Sequence, residues 1–194
     1  GFRHCSSENL WKIENFRYED IPPAHFRVCQ NTDAKKVSDL YNGELNSLYK
    51  PSLTRIKTEF KEPFFEGITN FYKNRYVMEE PLHKRIIAYL SIMTSDNRNF
   101  ILDLTTNNGY DISYDEILSF AMNEIASRKT LFYAFVKQKK YSKNSDKFGE
   151  YLKSKNFNCI QTQNILVKDL YKPIRQKENI LNVFIFGENG ITAN

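Results

Sequence analysis

The side chains of this sequence that could do chemistry are scattered. Three cysteines (Cys5, Cys29, Cys159) and three histidines (His4, His25, His83) stand far apart. No Cys-x-x-Cys occurs, and no spacing suits zinc. An odd number of separated cysteines reads as small apolar side chains in strands rather than as a redox or metal centre. HExxH, GxSxG and GxxxxGK[ST] are all missing, which argues against zincins, the hydrolase elbow and P-loop enzymes. One dense basic patch is present, Lys137, Lys139, Lys140 and Lys143. A nucleic-acid footprint would interleave such a patch with exposed aromatics, and Tyr141 alone does not do so, so the patch reads as a solvated loop.

The elements that must position any site follow from composition and pattern. The chain has 194 residues, 41% apolar, 14% aromatic and 26% charged, with a net charge of +5. That is enough for one domain with a real core, and it excludes disorder, collagen-like repeats and a coiled coil. No apolar run approaches the ~20 residues of a membrane helix, and Ile86 to Met93 is strand-sized. Without a signal-peptide core at its start, the chain is expected to be cytoplasmic, its first residue not a natural start.

A short strand is expected over 9–13, and another over His25 to Gln30. Thr32 caps a helix to about Tyr49, with Val37, Leu40, Tyr41, Leu45 and Leu48 at helical spacing, and Pro51 breaks it. Ser52 opens a second helical stretch carrying Ile56, Phe60, Phe64, Ile68 and Phe71, interrupted at Pro63. Strands follow over Tyr76 to Glu79, Arg85 to Thr94 and Asn99 to Thr105, with turns between them. Ser113 and Glu116 have capping-box spacing at the start of a helix that buries Ile117, Phe120, Ala121 and Ile125. Thr130 to Val136 is a buried strand. After the lysine-rich loop, Asn144 or Ser145 caps a helix to Lys155, which Asn156 stops in the left-handed conformation. Ile160 to Lys168 is a further strand, and Val183 to Phe186 a last one in the tail.

Three strands in a row followed by two β-α-β steps imply an α/β fold with a mixed, mostly antiparallel sheet and helices on both faces. That order, with the strand Leu131-Phe132-Tyr133-Ala134-Phe135-Val136, the helix ending Tyr151-Leu152-Lys153-Ser154-Lys155-Asn156-Phe157 and the strand after it, resembles the GNAT acyltransferase superfamily. Asn156-Phe157 stands where the family usually has Gly-Phe. The resemblance divides the chain into an N-terminal extension (1–25), a GNAT-like domain (26–172) and a tail (173–194). Gly1-Phe2 followed by Ser7-Glu8-Asn9-Leu10-Trp11 also echoes Asn156-Phe157 followed by Thr162-Gln163-Asn164-Ile165-Leu166. The start of the chain therefore looks like the last strand of another GNAT-like unit. Either the chain is the second half of a tandem pair, or it carries an extra strand for its own sheet.

The resemblance implies acetyl-CoA as co-substrate, lying in a V between the fourth and fifth strands of the family's sheet. It places Leu104, Thr105 and Thr106 against the pantetheine and Ile112, Ser113 and Tyr114 at the pyrophosphate loop. Family members supply glycines and a basic or amide residue in that loop, because close backbone approach and a bare helix N-terminus favour an anion. Here the loop is Tyr110-Asp111-Ile112-Ser113-Tyr114-Asp115-Glu116, with no glycine and three carboxylates. Asp103 is the candidate general base, or else a solvated or cross-strand-paired carboxylate. Tyr151 is the candidate acid, one residue from Leu152, which holds the family's tyrosine position. A step of one residue turns a helical side chain by roughly 100°, so Tyr151 points elsewhere unless the register shifts. Tyr72, Tyr76 and Phe71 could line an acceptor pocket or simply be core.

Three functions fit these residues. The first is an N-acyltransferase moving an acetyl group from acetyl-CoA to a small-molecule or protein amine. The second is a non-catalytic GNAT-like half that packs against a sister acyltransferase domain, or against a second copy as a homodimer. The third, resting only on charge, is a basic module for RNA or an acidic partner. No membrane partner is expected.

Overall fold

Alternation along the central strands sorts each residue to one side of a sheet or the other. In the computed structural model, which describes residues 1–62 and 72–168, the strands are β1 (Phe2–Ile13), β2 (Arg27–Val28), β3 (Tyr72–Glu79), β4 (Ile86–Thr94), β5 (Asn99–Thr106), β6 (Tyr133–Lys139) and β7 (Asn158–Lys168). They form one sheet in the order β2-β3-β4-β5-β6-β1-β7. All pairs are antiparallel except β5 with β6. The helices are α1 (Ala34–Glu44), the single turn α2 (Lys50–Leu53), α3 (Tyr114–Ala126) and α4 (Ser145–Ser154).

Phe100, Leu102 and Leu104 of β5 join Leu90, Ile92, Ala134 and Val136 in a core covered by α3 and α4, with Ile117, Leu118, Ala121, Phe148 and Leu152 buried against them. On the opposite face α1 lays Val37, Leu40 and Tyr41 over Val77 and Tyr89. The fold is thus mixed α/β with helices on both faces. Tyr76 belongs to the α3 face, donating to Glu124 Oε2 at 2.6 Å and stacking edge-on against Phe120, so it is core.

Several elements differ from the sequence-based expectation. The first strand begins at Phe2, because the polar run Arg3 to Asn9 is held between two partners: β7 along its whole length and β6 from Glu8 onward. β2 is reduced to two residues. The expected helix over 32–49 ends at Glu44, where Leu45 turns extended and bridges to Ser142. Pro51 sits inside the first turn of α2, where a missing N–H costs nothing, rather than breaking a helix. Beyond it Thr54 is extended, and among the described residues up to 62 a 3-10 turn, Lys57–Phe60, follows. The expected helical positions Phe64, Ile68 and Phe71, and the tail strand over 183–186, lie outside the described residues. Asn156 stops the α4 segment with φ of 57°, as its residue type implies.

Gln138 ties the inner strand β1 to β6 and α4. Its Oε1 accepts from Trp11 Nε1 at 2.9 Å and from Asn9 Nδ2 at 3.2 Å, and its Nε2 donates to the Ser145 carbonyl at 2.8 Å. Gly149 is what lets α4 come this close: a Cβ there would stand 2.3 Å from Gln138 Nε2. Three hydrogen bonds pin that amide, so it has nowhere to move. Gly149→Ala is expected to lower stability by about 1–3 kcal/mol in chemical denaturation, despite alanine's better helix propensity.

Candidate functional site

Two parallel strands that pair at one end and part at the other leave a wedge between them, with the backbone groups of the parted segment in need of partners. β5 and β6 pair from Asn99↔Tyr133 to Asp103↔Lys137, and no further. Beyond that point Leu104, Thr105 and Thr106 have no ladder pairing with β6. The chain fills the wedge from within. Lys139 Nζ donates to the Leu104 carbonyl at 3.1 Å and to Thr105 Oγ1 at 2.9 Å, and it ion-pairs with Asp103. Asn144 Nδ2 donates to the Thr106 carbonyl at 2.9 Å and to Thr106 Oγ1 at 3.1 Å. The space left between Leu104, Thr106, Tyr114, Lys139, Asn144 and Phe148 is about 20 Å³. That is room for roughly one water.

The loop after β5 is closed in the same way. Ser113 Oγ accepts from the Glu116 N–H at 3.3 Å, capping α3. Asp115, in the first turn, accepts from Tyr151 Oη and from Lys155 Nζ, each at 2.9 Å. Ile112 packs against the core, and Asp111 is exposed, with Lys147 3.6 Å away. Carboxylates and a serine therefore occupy the helix N-terminus that a pyrophosphate would need.

Asp103 and Tyr151 do not come together. Asp103 is on the α1 face, while Tyr151 lies on the α3/α4 face, its ring against Tyr114 and stacked on Phe148. Burial, and then its hydrogen bond to Asp115, push the Tyr151 hydroxyl well above its ordinary range. Leu152, at the position of the family's tyrosine, is fully buried core. Burial alone would raise the Asp103 carboxyl, but Lys139 outweighs it and holds the group below the usual carboxylate range. Asp103 of β5 is thus ion-paired across the strands with Lys139 of β6.

Half of the lysine patch is loop as expected, Lys140 and Lys143 being exposed turn residues, and half is not. Lys137 and Lys139 are β6 residues, 24% and 6% exposed at their side chains, paired with Glu8 and Asp103. Lys143 Nζ reaches the Gly43 carbonyl. The signal was legible: the period-two pattern of Tyr133, Phe135, Lys137 and Lys139 runs on past Val136. Around Asp103 on the α1 face, Glu8, Tyr41, Arg55, Lys137 and Tyr141 line a pocket of about 390 Å³. Glu8 and Arg55 carried no local pattern, because β1 and the segment after α2 meet only in the folded chain.

No protein-family model and no curated protein sequence matches the chain. Solved structures do. An acetyltransferase of the GNAT family from Colwellia psychrerythraea superposes with a TM-score of 0.53 at 7% identity, over 86% of this chain and 56% of that one. A tandem GNAT protein of the clavulanic acid biosynthesis pathway gives 0.52 at 6% identity, over 84% of this chain and 52% of that one. A third, assigned to GNAT acetyltransferases, from Novosphingobium aromaticivorans, gives 0.51 at 13% identity, over 88% of this chain and 69% of that one. The chain thus spans roughly half to two thirds of these structures, and it has their fold.

Replacing the wedge ammonium tests its weight. Lys139→Met leaves Asp103 without its cation and is expected to cost about 3–5 kcal/mol at pH 7. In the wild type the depressed carboxyl contributes stability above its unfolded pKa, near 4, and loses it as pH falls through the lower folded value. In the variant only Lys137 and Arg55 still oppose burial, so the Asp103 carboxyl rises from its wild-type position and acidification from pH 7 towards 4 relieves part of the cost. Denaturation at several pH values should show the gap between the two proteins narrowing on acidification.

Proposed function

We propose that this GNAT-fold chain is a non-catalytic half, without thioester chemistry of its own, that packs against a sister acyltransferase domain. The observation carrying this reading is the filled wedge: Lys139 and Asn144 hold the β5 groups a pantetheine arm would use. A site for such a ligand normally offers ~300 Å³ or more, against the one-water space found here. Acetyl-CoA does not fit these residues, and the carboxylates at the start of α3 oppose its pyrophosphate as well. The coverage of about half of a tandem GNAT protein supports a sister domain, and a second copy forming a homodimer is the other arrangement that would complete it.

A second reading, an N-acyltransferase acting on a small-molecule or protein amine, is favoured by the 390 Å³ pocket with Asp103 at its floor, next to the wedge. It requires Lys139 to leave the β5 carbonyls and Asp103 to lose its partner. Nucleic acid is a poor partner, since the basic patch spends Lys137, Lys139 and Lys143 on internal contacts. Among the described residues no helix is long and apolar enough to cross a membrane. Three free thiols suit a reducing compartment such as the cytoplasm.

Calorimetric titration with acetyl-CoA separates the two readings. No saturable heat is expected up to about 1 mM, the ~4 kcal/mol level of binding. Saturation that is insensitive to salt would overturn the non-catalytic reading in favour of the acyltransferase.

A further inference from the structure

Helix α1, the turn joining β3 to β4, and Asn107 enclose a cavity of about 410 Å³. That lies within the ~300–1,000 Å³ of small-molecule sites. Buried Leu40 and Ile86 supply its apolar lining, while Lys36 from the helix and Lys84 and Arg85 from the turn supply three cations. The turn is fixed to the helix, since Lys36 Nζ donates to the Lys84 carbonyl at 3.3 Å. Within the turn the Lys84 N–H donates to the Glu80 carbonyl at 3.1 Å, and the Glu80 N–H to the Arg85 carbonyl at 2.9 Å. Carboxylates close by already have partners. Asp39, also in the lining, ion-pairs with Lys35 at 2.8 Å, and Glu80 stands 3.1 Å from His83 Nδ1. Among the described residues the side chains of Lys84 and Arg85 have neither a hydrogen bond nor an ion pair.

The backbone at Lys84 points the same way. Its φ is 54°, in the left-handed region that suits glycine and asparagine. The other non-glycine residues with positive φ among the described residues are Asn15, Asn97 and Asn156, all asparagine. A lysine here bears strain that this chain elsewhere avoids, and such strain persists where a side chain has a task. Three cations around one cavity also repel one another, and an anion between them removes that repulsion. One carboxylate would bring a single charge. A phosphate monoester brings nearly two, with three acceptor oxygens that suit the planar fork of an arginine and the point charges of lysines. A bare phosphate would leave Leu40 and Ile86 uncovered. We propose that this cavity binds the phosphate monoester of a small organic molecule, its phosphoryl oxygens on Lys84, Arg85 and Lys36 and its organic part against Leu40 and Ile86. The site uses neither the wedge nor the pocket at Asp103, so it does not depend on whether the chain is catalytic.

The experiment is a calorimetric titration of the whole chain, without CoA, with phenyl phosphate, inorganic phosphate and benzoate. Phenyl phosphate should saturate in the millimolar range. Inorganic phosphate, which lacks the ring, and benzoate, which carries one charge, should each bind about tenfold more weakly. Added salt should weaken phenyl phosphate, which sets this site apart from the salt-insensitive saturation of a thioester site. Lys84→Gly keeps the left-handed turn and removes its ammonium, and Arg85→Gln removes a guanidinium from an exposed position. Each should cost phenyl phosphate about tenfold while keeping the wild-type thermal midpoint, which separates lost binding from lost fold. Lys140→Gln, at an exposed lysine outside the cavity, should bind like the wild type. The proposal fails if phenyl phosphate does not saturate, or if either of the other probes binds as tightly. It fails equally if a stably folded Lys84→Gly or Arg85→Gln binds like the wild type, or if Lys140→Gln weakens binding as much as they do.

Discussion

An ammonium group taken out of water keeps its charge only where it finds hydrogen-bond acceptors and a counter-ion. Lys139 finds all of these on one strand: a carbonyl, a hydroxyl and a carboxylate from Leu104, Thr105 and Asp103 of β5. β5 and β6 stop pairing at Asp103 and Lys137, so the lysine supplies the partner that the Leu104 carbonyl would otherwise lack. Tyr41 lies under its charge at 5.4 Å, which ties α1 to the same point. With Asn144 holding Thr106, this side chain closes the wedge.

The other half of the architecture depends on β1. Because β1 pairs on both sides, the sheet is continuous across residues far apart in sequence, and Trp11 and Ile13 enter the same core as α3 and α4. Gln138 serves this junction as Lys139 serves the wedge. The two are neighbours on β6 that point to opposite faces, so one short stretch of strand coordinates both sides of the sheet. This also bears on the echo between the start of the chain and β7: Phe2–Ile13 lies in this chain's own sheet, directly beside the strand it echoes.

Much of the fold was legible because its signals are local. Runs of strand-forming residues bounded by turns marked β4 and β5, Ser113 marked the start of α3, and Asn156 marked the stop after α4. The errors fall where distant partners decide. Residues 2–8 are too polar to read as a strand, yet β7 and β6 fix them there. Leu45 ends α1 because it bridges to Ser142, a contact with no trace in local spacing. Lys137 and Lys139 looked like loop residues because lysine is rarely buried, and the carboxylates that make their burial possible lie on other strands. For the site, the acidic, glycine-free loop was readable as such, whereas the filling of the wedge by Lys139 and Asn144 was not. Asn144 stands at the helix start as its type suggests, but its amide reaches across to Thr106 instead of capping.

The two ends of the sheet are unequal. β2 presents only two residues, and it pairs with only Tyr76 and Val77 of the longer β3. β7 presents eleven residues, most of them exposed, and its sole charge is Lys168 at the very end. Proline and interior charge, two devices that commonly blunt such an edge, are missing from it; the register shifts it makes with β1 are what disturb its regularity. Among the described residues nothing pairs with its outer side. Among the described residues the β7 border is thus the longer of the two, while at the other border β2 covers only Tyr76 and Val77 of β3.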